Sequence, residues 1–231
     1  MAALPMRAGD DIKFAANITA EDFSTFSRII AQGIYADPIQ PARSSGLLHF
    51  DIGVGATLIQ IDDKANYWKR AVQKDITVSG GYVGVPRLIV AKGYGGGTIS
   101  ATYAKINSTG AKMYGGSIDM PLIRGSIATP EVSLRGVYSK LSGVDVYRLK
   151  VYGLEAFISK GFGPIMPFAS VGRMRTNASG SIDTVHFTLQ DRSNINRYSA
   201  GVRISMLVPK LVIEATQAEQ RSYSAKISVG W

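Results

Sequence analysis

Along most of its length the chain alternates apolar and polar residues with a period of two, in short runs broken by Gly, Pro, Asn, Ser and Asp. In the last run Tyr223, Ala225, Ile227, Val229 and Trp231 share one face, and Ser222, Ser224, Lys226, Ser228 and Gly230 share the other. The first run repeats this, with Leu48, Phe50, Ile52, Val54, Ala56 and Leu58 set against His49, Asp51, Gly53, Gly55 and Thr57. Near residue 200, Tyr198, Ala200, Val202, Ile204 and Met206 alternate with Ser199, Gly201, Arg203 and Ser205. Ten such strands are predicted, at about 47–60, 83–92, 97–107, 111–122, 131–141, 145–160, 164–175, 197–207, 209–218 and 221–231. No fixed repeat period links them, which argues against a propeller or solenoid.

The segment before these runs has a different period. Residues 19–35 place Phe23, Phe26, Ile29, Ile30 and Ile34 on one helical face. Thr19 is positioned to cap this helix with Asp22 three residues on, and Pro38 and Pro41 close it. The chain thus divides into residues 1–46, carrying an amphipathic helix, and a strand region over 47–231.

A face that is apolar over about ten residues suffices for a tilted strand to cross hydrocarbon. A soluble sandwich also alternates, but here the polar face carries small residues and isolated charges, as a barrel interior does. The connectors point the same way. Long links are expected at 61–82 and 176–196, whereas those after runs two, four, six and eight are short. Membrane barrels keep short turns on one side and longer loops outside. The expected fold is all-β: a closed antiparallel transmembrane β-barrel of about ten strands preceded by an amphipathic helix. Three runs are irregular. The phase slips between Val151 and Leu154, suggesting a bulge near Gly153. The run from Pro86 is nearly all apolar, and Pro167 sits inside another. A count of eight or twelve strands therefore stays open.

Composition narrows the picture further. No stretch approaches the roughly 18 apolar residues of a membrane helix, and mean hydropathy is only +0.07, as strands with one polar face require. Cysteine is absent, which removes thiolate chemistry and disulfides. The net charge of +9 is scattered, with no dense basic run. Anionic lipid headgroups, not nucleic acid, are the expected acidic neighbours. Met1–Pro5 is followed by Arg7, Asp10 and Asp11 with no apolar core, which fits either a cytosolic protein or a mature form, and the strand pattern favours the mature form.

The terminal strand, with Tyr223, Ile227, Val229 and the aromatic Trp231, resembles that of Gram-negative outer-membrane β-barrel proteins. The resemblance spans roughly 47–231 at the level of architecture. It implies a bacterial outer-membrane location, recognition of those four residues by the barrel-assembly machinery, and outer-membrane lipid and lipopolysaccharide as partners. A helix ahead of a small barrel is also the layout of the lipid A palmitoyltransferase family. That family's catalytic His, Asp and Ser do not align here, so the resemblance carries no activity over.

The candidate chemistry is the inward-facing set His49, Asp51, Asp119, Arg135, Arg148, Lys150, Arg203, Glu214 and Lys226. Charges inside a closed barrel must be paired or wet. They form either a selectivity lining for a small solute or salt bridges that fill a lumen too narrow to conduct. The small interior of about ten strands favours the second. The helix has three candidate places: plugging the lumen, lying on the membrane surface, or docking against one end of the barrel. A plug would need an apolar side to the lumen. Only two histidines are present, His49 and His186, and no GxSxG or HExxH motif accompanies them. No catalytic residue, cofactor or metal ligand is assigned; Asp62–Asp63 reads as a solvated turn. A narrow pore or structural barrel is expected. The alternatives are an outer-membrane acyltransferase or deacylase, and a soluble lipocalin-like binder with its apolar faces turned inward. Oligomeric state is not encoded in any feature of the sequence.

Overall fold

The computed structural model describes residue 12 and residues 14–72, 78–105, 110–182, 187–206 and 208–231. Alternation converts to strands almost wherever it occurs. These are β1 (Phe50–Gln60), β2 (Tyr82–Gly93), β3 (Thr98–Lys105), β4 (Lys112–Ile123), β5 (Glu131–Ser142), β6 (Tyr147–Ser159), β7 (Ile165–Ile182), β8 (Phe187–Ser205), β9 (Pro209–Gln217) and β10 (Arg221–Gly230). Each strand pairs antiparallel with its neighbours in sequence, and β1 pairs with β10 to close a ten-stranded barrel. Closure leaves no edge strand in the barrel, and the ends of β2 and β8 run past their β3 and β9 partners.

The helix α1 (Ala20–Ile34) begins at a full capping box: Thr19 Oγ1 accepts from Asp22 N–H, and the Asp22 carboxylate accepts from Thr19 N–H. It lies inside the barrel, at the end opposite Trp231. Phe23, Phe26, Ile29 and Ile34 are buried there against Tyr147, Leu149, Val151, Met174, Leu189 and Ile195 of the wall. The chain then continues down the lumen as an extended plug. Tyr35, Ala36, Asp37, Ile39, Gln40 and Ala42 are all buried, and the chain emerges at Leu47 and Leu48 beside the start of β1. Of the three places expected for the helix, the lumen is the one it occupies. The cause is the apolar wall at that end, the condition a plug requires. A short helix, α2 (Asn66–Lys69), sits over it, with Trp68 packed on Phe26 at a ring separation of 6.1 Å.

Two irregularities resolve differently from the sequence expectation. No bulge occurs at Gly153, since β6 keeps continuous register with β5 and β7 through that residue. The register shift instead lies between Pro121 and Ile123 on β4. Gly153 is an inward position beneath the plug: a Cβ there would stand 2.0 Å from the Tyr35 hydroxyl. Gly115 serves Ala36 likewise, with a Cβ 2.3 Å from the alanine methyl. Residues 176–196, expected as a long loop, are largely strand: β7 and β8 stay paired from Ile165–Ile204 to Ile182–Phe187, with β6 alongside β7 as far as Gly180, and wall the end that holds α1.

Candidate functional site

The lumen has two compartments. Toward the loop end it is apolar and filled by α1. Toward the Trp231 end it is charged and filled by residues 35–45.

At the centre of the charged compartment stands Asp37, a plug residue. Its two carboxylate oxygens accept from Arg135 of β5 at 3.0 Å and from Arg197 of β8 at 2.7 Å. Arg135 also grips Asp119 of β4 through two nitrogens, at 2.6 and 2.9 Å, and donates to the Gln40 carbonyl. Arg197 donates to Glu155 at 2.6 Å and to Glu214 at 2.8 Å. The Tyr35 hydroxyl donates to Glu155 at 2.7 Å, and Arg87 donates to the carbonyls of Tyr35 and Gly33. Further toward Trp231, Lys226 donates to Gln40 and Asp51, while Lys210 and Ser228 also donate to Asp51. Arg87, Arg135, Arg197, Lys210 and Lys226 thus face Asp37, Asp51, Asp119, Glu155 and Glu214, and the two sets cancel in formal charge. Buried charge at this density holds only when it is paired and hydrogen-bonded. Multidentate arginines supply that pairing.

Of the residues predicted to line the lumen, Asp51, Asp119, Arg135, Glu214 and Lys226 come together in this network and are almost wholly buried. Arg203 and His49 stand apart, at the mouth beside Trp231, where they line one small cleft. His49 Nδ1 lies 2.8 Å from the Trp231 carbonyl oxygen; burial and the Arg43 guanidinium hold its imidazole below the usual value. His186 lies outside the described residues. Arg148 and Lys150 are corrected: both face outward and are exposed, while Tyr147, Leu149 and Val151 point in. The alternation of β6 inverts because its surroundings invert. Near the loop end the outside is water and the inside is α1; nearer Trp231 the outside is apolar and the inside is charged.

Asp37, Arg87, Glu155, Arg197 and Lys210 are the charged network members that sequence reasoning missed. Arg197 shares the parity of Arg203 and already lay within the run predicted at 197–207, so it was legible there by parity. Glu155 was hidden by the inverting phase of its strand. Asp37 carried no periodic signal at all.

The outer surface has its own order. Tyr103–Tyr114 and Tyr138–Tyr152 form cross-strand ring pairs with centroids 5.3 and 5.1 Å apart, and Tyr82–Tyr223 lie at 6.3 Å. Tyr198 is exposed on the same outer wall. Two residues beyond these tyrosines, on the loop side, come Lys105 and Lys112, which pair directly, then Lys140 and Lys150, which also pair directly, and Arg221. On the other side the exposed wall is apolar, including Ile52, Val54, Ile99, Ile118, Leu154, Ile158, Val171, Ile213, Ile227 and Val229, down to Phe162 and Trp231. An apolar band bounded by aromatic residues and then charge is the surface of a barrel seated in a bilayer. Leu48, Ile227 and Val229 all face outward, the reverse of the soluble lipocalin-like arrangement.

Fold and surface together define a transmembrane β-barrel of the outer-membrane type. Its particular form is a ten-stranded barrel whose lumen is closed by its own N-terminal segment. No family profile matches the chain, and no curated protein matches it. Solved structures share its outline distantly. The N-terminal β-barrel domain of Pseudomonas aeruginosa OprF is 14% identical, with 80% of this chain and 98% of that one covered at a TM-score of 0.39. The translocator domain of the autotransporter NalP from Neisseria meningitidis is 11% identical, covering 81% and 89% at 0.38. The Acinetobacter baumannii outer membrane protein Omp33 is 6% identical, covering 80% and 100% at 0.31. The chain's own outer surface, not this likeness, seats it in a bilayer.

Proposed function

We propose that this chain is an integral protein of a Gram-negative outer membrane that stands as a closed, structural barrel, its lumen stoppered by residues 14–45. The single observation that carries this is Asp37, a plug carboxylate held between Arg135 and Arg197 on separate strands of the wall. A solute passing through must break both contacts and leave the buried wall cluster one negative charge short, a cost of several kcal/mol. Planar-bilayer recording of the full chain tests it: silence is expected, and a steady ionic current through the unmodified protein overturns it. Conductance as a narrow pore is expected only after the plug is released, as by Asp37→Ala.

The lysine pairs beyond the tyrosines support phosphorylated lipids, lipopolysaccharide among them, as neighbours at the loop end. Like charges directly opposite one another repel, and an anionic headgroup between them reverses that sign. Tyr223, Ile227, Val229 and Trp231 are exposed on the outer wall, where the barrel-assembly machinery would read them. A barrel that stays monodisperse in buffer without detergent would sink the membrane assignment.

A further inference from the structure

We propose that the mouth beside Trp231 is an oxyanion-binding site of the phosphate type, formed between Arg43 of the plug and Arg203 of the wall. The charge balance of the lumen is what exposes it. Every cation deeper inside has a carboxylate or carbonyl partner. Arg43 and Arg203 have none: among the described residues neither makes an ion pair, and the Nε of each is buried without a hydrogen-bond partner. A buried donor left unsatisfied calls for a partner that the protein chain does not supply. The nearby carboxylates are already engaged. Asp51 accepts from Lys226, Lys210 and Ser228, and Glu131 accepts from the Ser44 N–H.

These groups line one cleft of about 310 Å³ that opens to solvent, together with His49, Gln40 and Lys210. Within the cleft there is room for only about one water, so the anion caps its solvent-facing mouth, against the two guanidiniums. A guanidinium presents a planar fork of donors that fits a tetrahedral oxyanion, and two of them facing one anion offer several charge-assisted bonds. Such a ligand would tie plug to wall where no direct ion pair does. The shared chemistry is a phosphate, supplied either free in solution or on a lipid headgroup of the adjacent leaflet. The site rests on the plugged-lumen reading, because Arg43 belongs to the plug.

The test uses the full chain in a maltoside detergent, with inorganic phosphate as the probe and chloride at matched ionic strength as the control. Phosphate is expected to raise the thermal unfolding midpoint of the native chain. Arg43→Gln and Arg203→Gln should each weaken the apparent affinity by about tenfold. Without phosphate, neither variant should melt below the native chain, because each removes one of two unneutralised like charges. A purely structural arginine would instead destabilise on removal. If phosphate has no effect, or stabilises both variants as much as it does the native chain, it is an adventitious ion only and the proposal is overturned. Short-chain phosphatidic acid competing with phosphate identifies the headgroup source; binding of free phosphate without that competition identifies the soluble one. Ala42→Cys reports the plug separately. Ala42 is buried and the chain has no native cysteine, so protection from a polar thiol reagent shows the plug seated whatever phosphate does.

Discussion

The two halves of this lumen are built on opposite logic. Toward the loop end, α1 is held by aromatic and aliphatic packing: Phe14, Phe23, Phe26, Trp68 and Tyr147 form a cluster of edge and tilted ring contacts 5.2–6.1 Å between centroids. Toward Trp231, residues 35–45 are held chiefly by ion pairs and hydrogen bonds, with Ile39 and Ala42 packed in a small apolar cluster on Ile89, Phe157, Phe168 and Val212. The wall changes character with its contents, and the outer surface changes in the opposite sense at nearly the same height. Below the tyrosines the barrel is inside-out, apolar toward lipid and charged within. Above them it is an ordinary water-exposed protein with a hydrophobic core. What differs is the tolerance to error. An apolar contact that loosens loses area gradually, whereas a buried carboxylate that loses its partner leaves a charge stranded.

The comparison breaks hardest at Asp37. Asp37→Ala removes the carboxylate that Arg135 and Arg197 share, leaves the buried cluster one negative charge short although both arginines keep their wall partners, and should cost about 3–5 kcal/mol, read as a lowered urea midpoint in detergent. The same variant should open a current in planar bilayers. In the apolar half, Phe26→Ala removes a fully buried ring and should cost about 3–5 kcal/mol at most, less if its neighbours collapse into the space. Its expected signature differs, with faster hydrogen exchange in α1 and no conductance, since the Asp37 clamp still stands. Equal conductance from both variants would mean that the two halves do not close the barrel independently.

A smaller test sharpens the junction between the halves. Gly153→Ala drives a methyl into the Tyr35 ring and should cost about 1–3 kcal/mol. In a double-mutant cycle with Tyr35→Ala, the pair should lose less than the sum of the single variants, because the smaller side chain vacates the clash. Additive losses would show that Tyr35 does not rest on Gly153.

How much of this was legible depended on which side of the tyrosines a residue lay. On β10 and the lower part of β1 one face meets lipid throughout, so alternation alone placed Ile227 and Val229 outside and Lys226 and Asp51 inside. On β6 the rule reverses midway: Arg148 and Lys150 point out for the same reason that Tyr152 and Leu154 do, by strand parity, but water replaces lipid around them. Reading one polarity along the whole strand turned that reversal into a supposed bulge. The capping box at Thr19 was local and therefore readable. The Asp37 clamp was not, because its partners lie 98 and 160 residues away and only barrel closure brings them together. Residues 176–196 misled for a related reason, since their inner face packs on α1 while their outer face meets water and carries no lipid-facing apolar stripe.

The smallest expected effect tests whether the apolar half has any electrostatic latch. Arg70, in the long connector, donates to the Asp22 carboxylate at 2.6 Å, tying the first turn of α1 to the segment that covers it. Desolvation alone would raise this carboxyl, but hydrogen bonds from Arg70 and Thr19 and the charge of Arg70 hold it below the usual carboxylate value. A lowered folded-state value stabilises above the unfolded one, so the contribution is complete near neutrality and fades as pH falls through the folded value. Both partners are partly exposed, so Asp22→Asn should cost only about 0.5–1 kcal/mol, through the cap and the helix N-terminus together. The native chain should lose that increment below about pH 4, while Asp22→Asn should lack it at every pH. Matched acid titrations of thermal stability measure the difference. If the variant and the native chain run parallel down to pH 3, α1 is held by packing alone, and the contrast between the two halves is complete.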